Sequence, residues 1–139
     1  MKKSTIMAGI AGAIVMFLLG WAFYAASGIM DSCMTEAGQA TSRGEDTNIL
    51  MIFVGHLISC LAMAMVYSKW ARGTHSFGHG AQFGLYIGVA FGIGMNLVWM
   101  ATANYMTMTG HIYDALFSIV SWAIVGGVFA IVYAKMGDD

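Results

Sequence analysis

Residues 80–96 read "GAQFGLYIGVAFGIGMN", an apolar stretch in which glycine recurs every four residues. Gly80, Gly84, Gly88 and Gly92 would lie on one face of a helix, and a face without side chains lets another backbone approach closely. Membrane helices associate in this way because lipid is as apolar as leucine. The stretch therefore predicts a membrane helix that packs along its glycine face, against another helix of the chain or against a second copy.

The composition of the whole chain agrees with a membrane protein. Of its 139 residues, 59% are hydrophobic and only 9% are charged, whereas a soluble domain carries about 25% charged residues. The formal net charge of −1 gives no electrostatic basis for binding nucleic acid. Cys33 and Cys60 form neither a disulfide framework nor a paired metal motif. The chain has no proline, so no helix carries a proline kink.

Four segments are long and apolar enough to span a membrane, which takes about 20 mostly apolar residues. We predict these helices at residues 4–27, 47–68, 80–103 and 112–134. The predicted fold is an all-α integral membrane bundle of four transmembrane helices in one domain, residues 1–139. A signal peptide is the alternative for the first segment. Its apolar run exceeds the roughly 7–15 residues of such a signal, so we expect a retained helix.

Positive charge sets the predicted orientation of the bundle. Only Arg43 falls on the side of the loop 28–46, which also carries four acidic residues. The other basic residues fall on the opposite side: Lys2, Lys3, Lys69, Arg72 and Lys135. The positive-inside rule then places both termini in the cytoplasm and the loop outside, as in a multi-pass protein of the bacterial inner membrane. Aromatic residues, Tyr24 among them, mark the predicted outer interface.

Polar side chains within the predicted helices form one candidate site. Intramembrane polar and ionisable groups usually face the bundle interior and find a partner there. The residues concerned lie at similar depth on three helices: His56, Cys60, Asn96, Asp114, Ser118 and Ser121. We predict a polar pocket to which His56 and Asp114 both contribute, with its mouth toward the acidic loop. The alternative is a purely structural network, in which Asn96 serves only as a hydrogen-bonding link between helices.

Other site chemistry has weaker support. The chain has thirteen methionines, and thioethers suit copper(I), as do His56 and Cys60. The stretches "MDSCM" and "YMTMTGH" fall on the predicted outer side, but methionine is also ordinary apolar filler. Haem needs an axial histidine, and only His56 lies well inside a predicted helix. No nucleophile with its base, phosphate loop or zinc motif is present. We therefore predict no enzymatic activity, no metal and no cofactor.

The whole chain resembles a family of small bacterial four-helix membrane proteins, domain of unknown function 1761. The likeness begins at "LLGWAFYAASGIM", continues at the glycine-rich "GLYIGVAFGIGMNLVWMATANYM" and ends at "HIYDALFSIVSWAIVGGVFAIV". The family often has a proline after the tyrosine of the first helix and a Tyr–His pair after the acidic residue. This chain has Ala25-Ala26 and Phe117-Ser118 there. The resemblance implies the four-helix architecture and brings no established activity.

Three functions stay open at this point. The first is a structural or accessory subunit that packs through the glycine face, in a homo-oligomer or a larger membrane complex. The second is a small-solute, ion or proton transporter with a pocket around His56, Asn96 and Asp114. The third is a pigment, haem or copper binder through His56. The expected partners are the lipid bilayer and either a second copy or other membrane proteins.

Overall fold

A computed structural model describes residues 2–137, and the regular elements in this part of the chain are all helices, with no β-strand. The helices are α1 (Lys3–Ala26), α2 (Glu36–Thr41), α3 (Ile49–Ala71), α4 (Phe77–Thr102) and α5 (Met108–Met136). All except α2 are long and apolar enough to cross a membrane, with mean hydropathies of 1.6 to 2.4 in their most apolar windows. The predicted all-α fold with four such helices is confirmed.

Local capping chemistry sets the ends of the helices. The side chains of Asn48, Ser76 and Thr107 each accept a backbone N–H from the first turn of α3, α4 and α5, which satisfies one of the donors that every helix start leaves unpaired. At the other end of α3, Arg72 is left-handed with φ 49°, and Gly73 follows with φ 80°. This left-handed pair stops the helix and turns the chain into α4.

The predicted boundaries differ most from the structure at α5. The predicted start was residue 112, whereas the helix begins at Met108, because Thr107 accepts the Gly110 N–H at 3.2 Å and caps the chain earlier. His111 therefore lies inside the helix, close to one turn before Asp114. The earlier start places the imidazole of His111 on the same helix as the carboxylate of Asp114.

The long helices alternate in direction, so both termini lie at one end of the bundle, here called the terminal end. The opposite end, here called the loop end, holds residues 27–48 and the connection 103–107. Helix α1 packs against α3 on one side and α5 on the other, and α4 packs against the far side of α5. The order across the bundle is therefore α3, α1, α5, α4.

The glycine stripe forms the interface between α4 and α5. A Cβ added at Gly88 would lie 2.6 Å from the Cα of Ile119. Cβ atoms added at Gly80, Gly84 and Gly92 would each meet a backbone carbonyl oxygen of α5. Only glycine permits this approach, since any larger residue would push the two backbones apart. The stripe is thus covered within one chain, which decides between the two partners that the sequence left open.

Aromatic side chains fill the terminal end. Tyr67 and Tyr133 are fully buried with ring centroids 5.6 Å apart, and His75 stacks on Tyr133 at 5.3 Å. The Tyr133 hydroxyl donates to the Ala64 carbonyl at 3.1 Å and lies 2.8 Å from the Thr5 hydroxyl. This one phenol links α1, α3 and α5, and it anchors the end of the bundle away from the candidate site.

Residues 27–48 fold back over the loop end. Thr35 caps α2, and its backbone N–H donates to the Tyr105 carbonyl at 3.2 Å. The Thr107 N–H donates to the Cys33 carbonyl at 2.8 Å. These bonds tie the loop to the connection between α4 and α5. The start of α5 is therefore held from the outside as well as by its own cap.

Two helices widen into π-helical turns, at Trp21–Ala26 in α1 and at Val89–Met95 in α4. Neither turn is a proline effect, because the chain has no proline. A π turn takes up extra chain per turn and changes the direction in which the following side chains point. Both turns lie toward the loop end, and both adjoin the polar residues described next.

Candidate functional site

Asn96 connects the polar residues of α4 and α5. It follows directly after the π turn of α4 and is only 5% exposed. Its Nδ2 donates to Asp114 Oδ2 at 2.5 Å, and its Oδ1 accepts a hydrogen bond from His111 Nδ1. The amide must have this orientation, because an ionised carboxylate can only accept. Asn96 therefore bridges the carboxylate and the imidazole, which both belong to α5.

Tyr24 extends this set to a third helix. Its hydroxyl, within the π turn of α1, donates to Asp114 Oδ1. Neighbouring rings hold it in place: Phe117 packs edge-on against Tyr24 at 5.1 Å and stacks on Phe23 at 4.4 Å. We call the hydrogen-bonded set Tyr24–Asp114–Asn96–His111 the polar chain. It joins α1, α4 and α5 near the loop end.

The polar chain has a defined electrostatic character. Both oxygens of Asp114 accept hydrogen bonds, one from the Tyr24 hydroxyl and one from the Asn96 amide. Within residues 2–137 no lysine, arginine or histidine forms an ion pair with this carboxylate, so amide and phenol dipoles alone stabilise its charge. A carboxylate in apolar surroundings without a cation is costly. The site would therefore be stabilised by any cation that binds beside it.

The same hydrogen bonds fix the tautomer of His111. Since Asn96 presents its oxygen to Nδ1, that nitrogen carries a proton, and in the neutral ring Nε2 is the nitrogen with the lone pair. His111 is only 7% exposed, and within the described residues Nε2 has no hydrogen-bond partner. A nearly buried imidazole nitrogen with a free lone pair can accept a hydrogen bond or bind a metal.

His111 lies at the junction of two cavities. The larger, of about 420 Å³, lies at the loop end and is lined by Met100, Ala101, Thr102, Ala103, Asn104, Met106, Met108 and His111. The smaller, of about 300 Å³, lies between α4 and α5 and is mostly apolar, with Asn96 and His111 among its lining residues. Met100, Met108 and His111 line both. A small ligand that enters from the loop end would therefore reach the imidazole.

The structure places His56 and Cys60 away from the polar chain. His56 lies on α3 and packs edge-on against Phe17 of α1, with ring centroids 6.5 Å apart. It has no hydrogen-bond partner within residues 2–137, and both oxygens of Asp114 are occupied by other groups. Cys60 is fully buried in the apolar core. The imidazole that the sequence predicts beside Asp114 is therefore supplied by His111 instead of His56.

The two predicted serines serve α5 itself. The Ser121 hydroxyl donates to the Ser118 carbonyl at 3.2 Å within the helix. Ser118 faces the glycine stripe, where its Cβ would lie 2.8 Å from a Cβ at Gly92. Neither hydroxyl bonds to the polar chain in the described residues. Of the six predicted residues, Asn96 and Asp114 are the two that belong to the polar chain.

Sequence reasoning missed His111 and Tyr24 for different reasons. His111 had a readable signal, since a threonine three residues before Gly110 is a typical helix cap and would have started α5 early enough to include it. Tyr24 was interpreted as an interfacial aromatic, which its position in the sequence favours. The π turn that directs it toward α5 has no comparable sequence signal.

Comparison of the chain with protein-family models finds no match, and comparisons with curated proteins and with solved structures find none either. The resemblance to the domain of unknown function 1761 therefore stays a prediction. Functional inference depends on the polar chain and the cavities beside it.

Proposed function

We propose that this protein is a multi-pass membrane protein that binds a small ligand or ion at its loop end, as a binding protein or a carrier. The observation that carries the proposal is the polar chain, which ends in a lone-pair nitrogen of His111 at the junction of two cavities. Intramembrane ionisable groups of this kind are functional candidates by default.

The surface of the bundle supports the membrane part of the proposal. Many large apolar side chains are exposed along the helices, including Leu50 at 72%, Ile58 at 65% and Val120 at 58%. Only 11% of the most apolar window of α3 is buried within the chain. In water such a surface would aggregate, whereas lipid covers it at no cost.

The proposed location is the bacterial inner membrane, with both termini in the cytoplasm. Lys69 and Arg72 lie at the terminal end, as do the basic residues near both termini. By the positive-inside rule this end faces the cytoplasm. The loop end, with its acidic segment and the larger cavity, then faces outward. A ligand would reach His111 from the extracytoplasmic side.

Ligand binding accounts for more of the site than a structural role does. A purely structural link between helices needs only groups that satisfy each other. In the polar chain every polar atom is paired within the described residues except His111 Nε2, and His111 lines both cavities. The π turns in α1 and α4 also support a ligand site, since such turns occur frequently at functional sites.

A second candidate is an accessory subunit or homo-oligomer, favoured by the exposed apolar face of α3. The glycine stripe does not support this candidate, because α5 already covers it. Association would need another surface, and α3 is the least covered of the long helices. We propose no catalytic activity, and we do not extend a haem or pigment role to His56, whose nearest ring is Phe17.

The experiment is gentle extraction from native membranes, followed by native mass spectrometry of the intact particle. If the proposal is right, the wild type carries a small bound mass that Asp114→Asn loses, while Asp46→Asn in the loop retains it. Foreign subunits with no small bound mass in either protein would instead favour the accessory role. Circular dichroism of each variant separates loss of binding from loss of fold.

A further inference from the structure

The loop-end cavity is lined by an unusual set of donor atoms. Three of its eight lining residues are methionines, namely Met100, Met106 and Met108, and a fourth is His111. No carboxylate and no thiol lines it, since Asp114 lies behind Asn96, and Cys33 is buried next to Gly110 of α5. The side-chain donors on its lining are thus three thioether sulfurs, one imidazole nitrogen, the Thr102 hydroxyl and the Asn104 amide, and none of them is a carboxylate or a thiolate.

We propose that this cavity is a binding site for a soft monovalent metal ion, copper(I) or silver(I), held by His111 Nε2 and by the thioethers of Met100, Met106 and Met108. The proposal rests on the ligand-binding function above and names the class of ligand. Thioethers select copper(I), whereas calcium and magnesium take about six or more oxygen ligands with carboxylates among them, and the side chains of this cavity offer only the neutral oxygens of Thr102 and Asn104. Zinc sites use thiolates, imidazoles and carboxylates, and the cavity offers only one of these.

The polar chain supplies the support that a metal-binding imidazole requires. A ligating histidine usually donates its second ring N–H to a carboxylate or carbonyl, which fixes the ring and raises its basicity. Here His111 Nδ1 donates to the Asn96 oxygen, and Asn96 donates to Asp114. The polar chain thus links the carboxylate to the imidazole that lines the cavity.

Charge balance favours a monovalent cation in particular. Asp114 has no cationic partner in the described part of the chain, and both of its oxygens accept hydrogen bonds. Three thioethers and an imidazole bring no negative charge, so a monovalent ion would introduce less uncompensated charge than a divalent ion. A divalent ion would leave a net positive charge in apolar surroundings, which is costly.

Backbone contacts fix part of the proposed ligand set. Met106 pairs with Met34 in an isolated antiparallel bridge, and Thr107, the next residue, bonds to Cys33 and caps α5. Met108 is 61% exposed and Met100 37% exposed, so their side chains have freedom to turn toward a metal. The site therefore combines an anchored imidazole with adaptable thioethers.

The test uses the full-length protein in lipid nanodiscs and silver(I), which has the charge and ligand preference of copper(I) without its redox chemistry. Bound silver is measured by elemental mass spectrometry, and its affinity by competition with a soluble chelator. We expect one ion per chain. We expect Met106→Leu and Met108→Leu each to weaken binding by about tenfold or more, the range seen for altered metal sites. Met51→Leu, an exposed methionine on α3, is the matched control and should change nothing.

His111→Gln tests the imidazole, with X-ray absorption to show whether a nitrogen ligand is lost from the silver. Binding that survives this change, or that falls equally in Met51→Leu, would overturn the metal site. A preference for zinc(II) over silver(I) would overturn the soft-ion assignment. If silver does not bind while the native particle still carries an Asp114-dependent small mass, the metal inference fails and the ligand-binding function stands. If both are absent, both fail.

Discussion

Replacement of Gly88 by alanine tests the close contact between α4 and α5 in the most direct way. The added Cβ would lie 2.6 Å from the Cα of Ile119, whereas ordinary contact begins at 3.4 Å. The obstacle is backbone, so no side chain can turn aside, and the helices must separate by about 0.8 Å at this point. A gap of that size forfeits a quarter to a half of the dispersion energy of the contacts around it.

The steric cost of Gly88→Ala is measured by comparing its free energy of unfolding with that of a matched variant. Gly55→Ala places the same methyl group on α3, where no atom lies within 4 Å. Both variants gain the helix propensity of alanine, up to about 1 kcal/mol. The difference between them is therefore the steric cost alone, for which overpacking data indicate about 1–3 kcal/mol. Gly88→Ala should unfold more readily than Gly55→Ala by that amount.

The measurement is equilibrium unfolding in mixed micelles, followed by circular dichroism at two protein concentrations. The contact lies within one chain, so the difference between the variants should not depend on concentration. Equal stability of Gly88→Ala and Gly55→Ala would refute the close packing of the stripe. A difference that disappears on dilution would assign the stripe to a contact between copies instead.

Three further variants test single hydrogen bonds by the same unfolding assay. Tyr24→Phe removes the hydroxyl that donates to Asp114 and should lower the free energy of unfolding by about 0.6–1.7 kcal/mol, as for hydrogen bonds between membrane helices. The control is Tyr113→Phe, whose hydroxyl has no partner within residues 2–137 and whose loss should not change stability. Equal losses in the two variants would argue against the polar chain. Thr107→Ala removes the cap of α5 and should lower the free energy of unfolding by about 1 kcal/mol. Silver binding should also weaken, because the first turn of α5 positions His111. Thr109→Ala is the control, and unchanged silver binding in both variants would contradict a connection between the cap and the metal site. Tyr133→Phe leaves the Thr5 hydroxyl without this partner, whereas the Ala64 carbonyl keeps its bond within α3, and should cost about 1–3 kcal/mol. A cost below that range would show that the phenol does not tie the three helices.

The four long helices could be predicted from the sequence because each is encoded by a long, continuous apolar segment. Twenty apolar residues in a row admit few structures other than a helix, and a glycine every four residues identifies the face that packs. The stripe does not identify its partner. Gly126 and Gly127 on α5 gave one candidate among others, and only the three-dimensional packing of Gly80 against Gly126 decides it.

Only part of the candidate site could be predicted from the sequence. Asn96 and Asp114 follow from depth and the rule that intramembrane polar groups seek partners. The same rule favoured His56, because depth along a helix is readable while the direction a side chain faces around the bundle is not. Helix α3 packs mainly on α1, and His56 lies against Phe17 of α1 rather than beside Asp114 of α5. Direction also changes at a π turn, and the two turns beside the site have no local signature.

The free nitrogen of His111 separates a ligand site from a structural link. Asp114 is already satisfied by Tyr24 and Asn96, so a network that served only to hold three helices would be complete without an imidazole. The Asn96 Oδ1 oxygen still needs one hydrogen-bond donor. A serine or threonine hydroxyl would supply it without adding a second ring nitrogen that has no partner. Histidine supplies that donor and also carries a second nitrogen, on a ring that lines a cavity with three methionines. That second nitrogen is unnecessary for packing, and a bound ligand gives it a role.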